Sequence, residues 1–267
     1  MAQKGLRMKH LLTPLLLTVF FAQYTPAAEI FPLTVGVTPF PHKDIMLVVK
    51  DVLDKEGVVL TIREFSDYVQ PNLALADKTL DANFFQHIPY VENMNMEKGL
   101  NLVWVAKVHI EPLGLYSQQI KSLDELKKGD ALAVPNDPTN EARALRLLET
   151  HGLIKIQPGE LVTVRDIRDN PKGLKFVEME AAQLPRILQD VRAAVINTNF
   201  ASEAGLIPSR DAIVIEDRDS PYANVVVVRG EDVDRPAIIA LSKAVNSPEV
   251  RAYIEQNLTP KGIVPAF

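Results

Sequence analysis

Short apolar runs rich in β-branched residues alternate with helical segments from residue 33 to the C-terminus, and this alternation constrains the fold more than any other feature. Leu33-Thr-Val-Gly-Val37 reads as a buried strand that Pro39 and Pro41 end. Ile45, Met46, Val49, Val52 and Leu53 then recur at helical spacing, and Gly57 stops the helix. Val58 to Ile62 is a second strand. Strand, helix and strand in one short stretch make a βαβ unit, which predicts a parallel pair with a right-handed crossover. Further strands are expected at 80–83, 102–110, 132–134, 174–177, 193–196, 213–215 and 224–229. Helices are expected at 72–76, 88–98, 137–151, 235–245 and 248–256. The fold class is therefore α/β. Two lobes could share crossing strands, for which 111–116 and 220–226 are placed by position alone.

The N-terminus carries a different signal. Lys4, Arg7 and Lys9 precede the apolar run Leu11 to Ala22, and Thr25-Pro26-Ala27-Ala28 offers small residues for cleavage. That is the layout of a secretory signal peptide over residues 1–28. The run falls short of the ~20 residues a bilayer requires, so a membrane-spanning anchor is the weaker reading. Cysteine is absent, which removes disulfides, thiolate metal sites and a lipid-bearing cysteine. The expected product is a soluble periplasmic protein with no lipid anchor. Net charge is −5 with no basic cluster beyond the N-terminus, which argues against nucleic acid as a partner.

Polar segments gather where strands should end or helices start: Phe65 to Tyr68, Gln70 to Asn72, Asp81 to His87 with Tyr90, Pro135 to Asn140 with Arg143, Ile196 to Phe200, and Ser220 to Asn224. Ligands of open α/β sheets bind at those ends. Asparagine donates and accepts, so it suits a zwitterion, and Arg143 offers a fork for a carboxylate. Tyr68, Phe85, His87 and Tyr90 can wall an apolar side chain, a thioether included. Each residue also has a plainer reading. Asn136, Asn140, Asn197 and Asn199 serve equally as turn or cap residues, Arg143 as a solvated helix residue, and the aromatics and His87 as packing. Enzyme signatures are missing: there is no nucleophile elbow, no H-E-x-x-H and no phosphate-binding loop, and the five histidines show no metal-ligand spacing. No cofactor and no metal is expected.

Five motifs, F-S-D-Y-V-Q-P-N (Phe65 to Asn72), D-A-N-F-F-Q-H-I-P-Y (Asp81 to Tyr90), P-N-D-P-T-N (Pro135 to Asn140) with Arg143, N-P-K (Asn170 to Lys172) and S-P-Y-A-N (Ser220 to Asn224), stand in an order that closely resembles the NlpA-type, or methionine-binding, substrate-binding proteins of ABC transporters. The likeness runs from about Leu33 to the C-terminus. It implies a periplasmic-binding-protein type II fold, two α/β lobes joined by two crossing strands, taken as 29–112 plus 226–267 and 113–225. It implies a cleft that binds methionine, L or D, and delivers it to a membrane permease, with a monomer as the usual state. Carried over by position, Arg143 with Asn140 would hold the carboxylate, and Asn199 and Asn224 would bind the amino and carboxyl groups. Tyr68, Phe85, His87 and Tyr90 would line the side-chain pocket. In the first motif Phe40 stands where the family has glycine, so its ring is expected to reshape the cleft entrance or a pocket wall. The alternatives are the same transport role for another apolar amino acid or a short methionine-containing peptide, a periplasmic enzyme using His87 and Asp67, and an interaction protein built on the fold.

Overall fold

The structure is a computed structural model that describes residues 1–2, 31–217 and 220–267. The signal peptide expected at residues 1–28 lies almost wholly outside them.

The first sheet begins with β1 (Phe31–Val37), followed by helix α1 (Asp44–Leu53) and strand β2 (Val58–Glu64). β1 and β2 pair in parallel with Leu33 opposite Leu60, as the βαβ reading requires. Helix α2 (Gln70–Ala76), strand β3 (Ala82–His87), helix α3 (Ile88–Lys98) and strand β4 (Leu102–Ile110) continue the lobe. The chain then crosses through residues 111–113 into β5 (Gly114–Tyr116).

The second lobe is built from β5, β6 (Ala131–Pro135), helix α4 (Pro138–Thr150), a separate two-stranded ribbon of β7 (Lys155–Ile156) and β8 (Ile167–Asp169), then β9 (Lys175–Met179) and β10 (Ala193–Ile196). Helices α5 (Thr198–Glu203) and α6 (Pro208–Asp211) and strand β11 (Val214–Ile215) complete it. The chain returns to the first sheet as β12 (Ala223–Arg229), and α7 (Pro236–Ala244), α8 (Pro248–Tyr253) and β13 (Val264–Pro265) close the molecule. The strand orders are β13-β4-β12-β3-β1-β2 and β11-β5-β10-β6-β9.

β12 shows why the first lobe holds together. It lies antiparallel between β3 and β4, with helices on both faces of the sheet. Val226 and Val228 enter a core with Leu33, Val35, Ile45 and Leu241, while Val225 and Val227 enter one with Leu75, Leu80 and Val91. Val225 to Val228 are covered on both faces, which is why this run reads so clearly as a strand. In the second lobe Leu132, Val134, Leu145 and Leu148 make one core, and Ala133, Ala194, Ile196 and Phe200 the core of the opposite face. No helix among the described residues is long and apolar enough to cross a membrane.

Two expectations need correction. The strand expected at 80–83 runs from Ala82 to His87, because Asn83 and Gln86 are buried by side-chain pairing rather than left at a loop. The return crossing expected at 220–226 ends earlier, since Ala223 already pairs with Ile110 in the first sheet.

Candidate functional site

Where the two lobes face each other, a cavity is lined by all eight residues singled out as ligand contacts: Tyr68, Phe85, His87, Tyr90, Asn140, Arg143, Asn199 and Asn224. They arrive from both sheets. Phe85 and His87 close β3, Tyr90 lies in the first turn of α3, and Asn224 stands near the start of β12. Asn140 and Arg143 lie in the first two turns of α4, and Asn199 in the first turn of α5.

The first turn of α4 is fixed by its cap. Asp137 accepts the backbone N–H of Asn140 at 3.0 Å and the Asn140 amide at 3.0 Å with each oxygen. Asn140 Oδ1 accepts from His87 Nε2 at 3.1 Å and from Asn197 Nδ2 at 2.8 Å. The Asn140 amide is thus fully engaged by protein groups, and its work in the wall is to position His87 and Asn197.

His87 is a neutral bridge. Its Nδ1 accepts the Tyr90 backbone N–H at 3.1 Å, which leaves the proton on Nε2, facing Asn140 on the other lobe. Burial first, then the nearby Arg143 guanidinium, lower its pKa to about 3. Tyr68 makes a second bridge, donating its hydroxyl to Asn199 Oδ1 at 2.6 Å. Tyr68, Phe85 and Tyr90 form an aromatic corner with ring centroids 5.8–6.1 Å apart. Tyr68 also packs on Phe200 at 4.9 Å. Burial raises the pKa of both tyrosines, so the phenols stay neutral.

Arg143 is held from both crossings. Its Nη2 donates to the Glu111 carbonyl at 2.7 Å on the outgoing crossing. Its Nε and Nη2 grip the Glu216 carboxylate on the return path, at 3.0 and 2.5 Å. The Tyr222 ring lies 4.2 Å from the guanidinium carbon. Nη1 has no hydrogen-bond partner among the described residues. The same holds for Asn224 Nδ2, for the buried donor Asn199 Nδ2 and for the buried acceptor Asn197 Oδ1. Donors and acceptors in one cavity suit a ligand bearing both a carboxylate and an ammonium.

Five more residues line the cavity: His42, Gln86, Glu111, Asn197 and Thr198. His42 and Glu111 also sit at strand or helix ends, so the rule that found the others would have found them. His42, His109 and Glu111 bring three metal-capable atoms within 4.8 Å of one another. The histidines already serve that carboxylate: His109 Nε2 lies 2.7 Å and His42 Nε2 3.3 Å from Glu111 Oε1.

Phe40 is not among the lining residues. Its ring packs against the core of the first lobe, with Lys261 Nζ 4.9 Å above it. The expectation that this ring reshapes a pocket wall is therefore corrected; His42, two residues on, reaches the cavity instead. Asp67, weighed as an enzymatic acid, accepts the backbone N–H groups of Val69 and Gln70 ahead of α2 and lies outside the cavity.

Residues 33–267 match the family described as NlpA lipoprotein. A relative from Salmonella typhi, the D-methionine-binding lipoprotein MetQ, is 46% identical over 221 residues, covering 81% of this chain and 82% of the relative. A nutrient binding protein from Burkholderia cenocepacia, solved bound to methionine, superposes with a TM-score of 0.85 at 47% identity, covering 88% of this chain and 100% of that one. An ABC transporter periplasmic substrate-binding protein from Coxiella burnetii superposes at 0.84 with 46% identity, covering 88% of this chain and 100% of that one. These matches overturn one expectation. A soluble form without a lipid anchor was inferred from the missing cysteine, whereas the family and the Salmonella relative are both described as lipoproteins.

Proposed function

We propose, from the premise that this chain belongs to the NlpA lipoprotein family, that it is the substrate-binding component of an ABC importer and captures methionine between its lobes for a membrane permease. The observation that carries this reading is the convergence of Arg143, four asparagines and an aromatic corner on one interlobe cavity. The relatives' names and the methionine-bound neighbour agree with it. It is a binding role with no chemical turnover.

In this reading Arg143 Nη1, Asn199 Nδ2 and Asn224 Nδ2 take the ligand carboxylate. Tyr68, Phe85, His87 and Tyr90 wall the thioether chain, where sulfur meets aromatic edges. Asn140 supports His87 and Asn197. We read the lobes as residues 29–112 with 226–267 and as 113–225, except that Ala223–Val225, which pair with β4, go with the first lobe. Ligand contacts from both lobes favour hinge closure, and the working unit is a monomer.

Calorimetric titration of unfolded and refolded, ligand-free protein with L-methionine, D-methionine and a panel of other amino acids tests the reading. Saturable one-to-one binding of either methionine is expected. Binding of another solute with no response to methionine would retain transport and replace the ligand. No binding to any amino acid would reject the role.

A further inference from the structure

We propose that Glu111 recognises the ammonium group of the ligand, so that the cleft selects α-amino acids over the same molecules without their amino group. The inference rests on the amino-acid-binding role and assigns a residue to one half of the zwitterion.

Glu111 follows β4 at the outgoing crossing and is buried at 6% exposure, yet it lines the ligand cavity. A carboxylate in such a place needs donors or a cation. It has donors: His109 Nε2 at 2.7 Å, His42 Nε2 at 3.3 Å and the Asn199 backbone N–H from the opposite lobe. None of these supplies charge. His42 Nε2 also stands 3.1 Å from Asn224 Oδ1, which only accepts, so Nε2 carries the proton and Nδ1 accepts from the Thr38 hydroxyl at 2.8 Å. Burial lowers the pKa of His42 to about 4 and of His109 to about 3, so both rings are neutral near pH 7.

The remaining nearby cation is already balanced. Arg143 is gripped by the Glu216 carboxylate through Nε and Nη2, and it touches Glu111 only at the backbone carbonyl. Among the described residues Glu111 makes no ion pair with a lysine or arginine. The cavity wall thus holds one arginine with a free Nη1 and one carboxylate without a cation. An amino acid supplies both complements a bond or two apart. Its carboxylate faces Arg143, and its ammonium faces Glu111, with Asn197 Oδ1 as a further buried acceptor. The histidines orient the carboxylate, and a ligand ammonium beside it would offset the burial that raises its pKa.

The test is calorimetric titration of wild type, Glu111→Gln and Glu111→Asp with methionine and with γ-methylthiobutyrate, which keeps the thioether and the carboxylate and lacks the amino group. Wild type should bind methionine and reject γ-methylthiobutyrate. Glu111→Gln should lose methionine affinity by on the order of 100-fold while binding γ-methylthiobutyrate as well as or better than wild type. Should the glutamine variant fail to fold, Glu111→Asp, which keeps the charge but withdraws it, should show a smaller loss confined to methionine. Wild-type methionine affinity in Glu111→Gln would overturn the proposal. So would a discrimination between the two ligands that neither variant reduces. Wild-type binding of neither methionine nor any other amino acid would overturn the functional reading and this inference together.

Discussion

The hydroxyl of Tyr68 donates to Asn199 Oδ1 at 2.6 Å, joining the segment before α2 in the first lobe to the first turn of α5 in the second. The bond holds Asn199 with its Nδ2 unpartnered in the cavity wall, and it counts only while the lobes are together. Replacing Tyr68 by phenylalanine keeps the ring packing on Phe85 and Phe200 and removes only the bridge. The expected result is a loss of about 1–2 kcal/mol in ligand affinity with little change in unfolding midpoint, read by calorimetry and denaturant titration. An affinity equal to wild type would show that the bridge does not help closure.

Arg143 is the residue whose loss should matter most. Arg143→Ala removes the carboxylate partner and strands Glu216, whose side chain is largely buried. Binding should weaken by about 3–5 kcal/mol. Arg143→Lys cannot keep the two-nitrogen grip on Glu216, so it should fall well short of rescue. Wild-type affinity in the lysine variant would mean that charge alone suffices.

Glu216 does not line the cavity but grips Arg143, which does. In Glu216→Gln the guanidinium loses its charged partner and with it a fixed orientation. Affinity should drop about tenfold, with selectivity among amino acids unchanged because no pocket wall has moved. A changed ligand order with the same overall affinity would contradict a purely positioning role.

Phe40 packs on the core of the first lobe beneath Lys261 and away from the cavity. Phe40→Gly should therefore cost about 1–3 kcal/mol of stability, discounted from full burial because the ring is partly exposed. The relative affinities across an amino-acid panel should stay as in wild type. A shifted panel with unchanged stability would restore the ring to the pocket.

His109 is fully buried, and burial lowers its pKa to about 3. The unfolded chain binds a proton at this residue near pH 6.5, while the folded protein does not until much lower pH. Between those values the unfolded state holds more protons, so this residue makes stability fall as pH falls. The raised pKa of Glu111 acts in the opposite direction, so the contribution of His109 must be read as a difference. Wild type should lose more stability than His109→Gln between pH 6.5 and 4, by at most about 1.4 kcal/mol per pH unit. Parallel curves would mean that His109 does not titrate differently on folding.

Much of the fold was legible because burial on two faces leaves its mark in composition. The run at β12 and the spacing in α1 and α4 need no long-range information, since period and turn residues report which faces are covered. β3 resisted that reading. Asn72 Nδ2 donates to Gln86 Oε1 at 2.9 Å, while Asn83 Nδ2 and Gln86 Nε2 donate to Asn72 Oδ1 at 2.8 and 2.7 Å. Three buried amides satisfy one another there, and polar residues paired in this way look in sequence like a loop.

The sequence by itself determined the alternating α/β order, the strand and helix ends at which a site could form, and a stock of asparagine, arginine and aromatic side chains suited to an amino acid. Tertiary structure alone decided what each of those side chains is free to do. Asn140 is used up by Asp137, His87 and Asn197, while Arg143 keeps one nitrogen and the Glu111 carboxyl is met by two histidines rather than by a lysine or arginine. Phe40 packs against the first-lobe core although it sits two residues from a cavity-lining histidine. The physical reason is that hydrogen-bond satisfaction and charge balance are settled between residues far apart in sequence, such as Tyr68 with Asn199 and Arg143 with Glu216, and local pattern carries no record of those pairings.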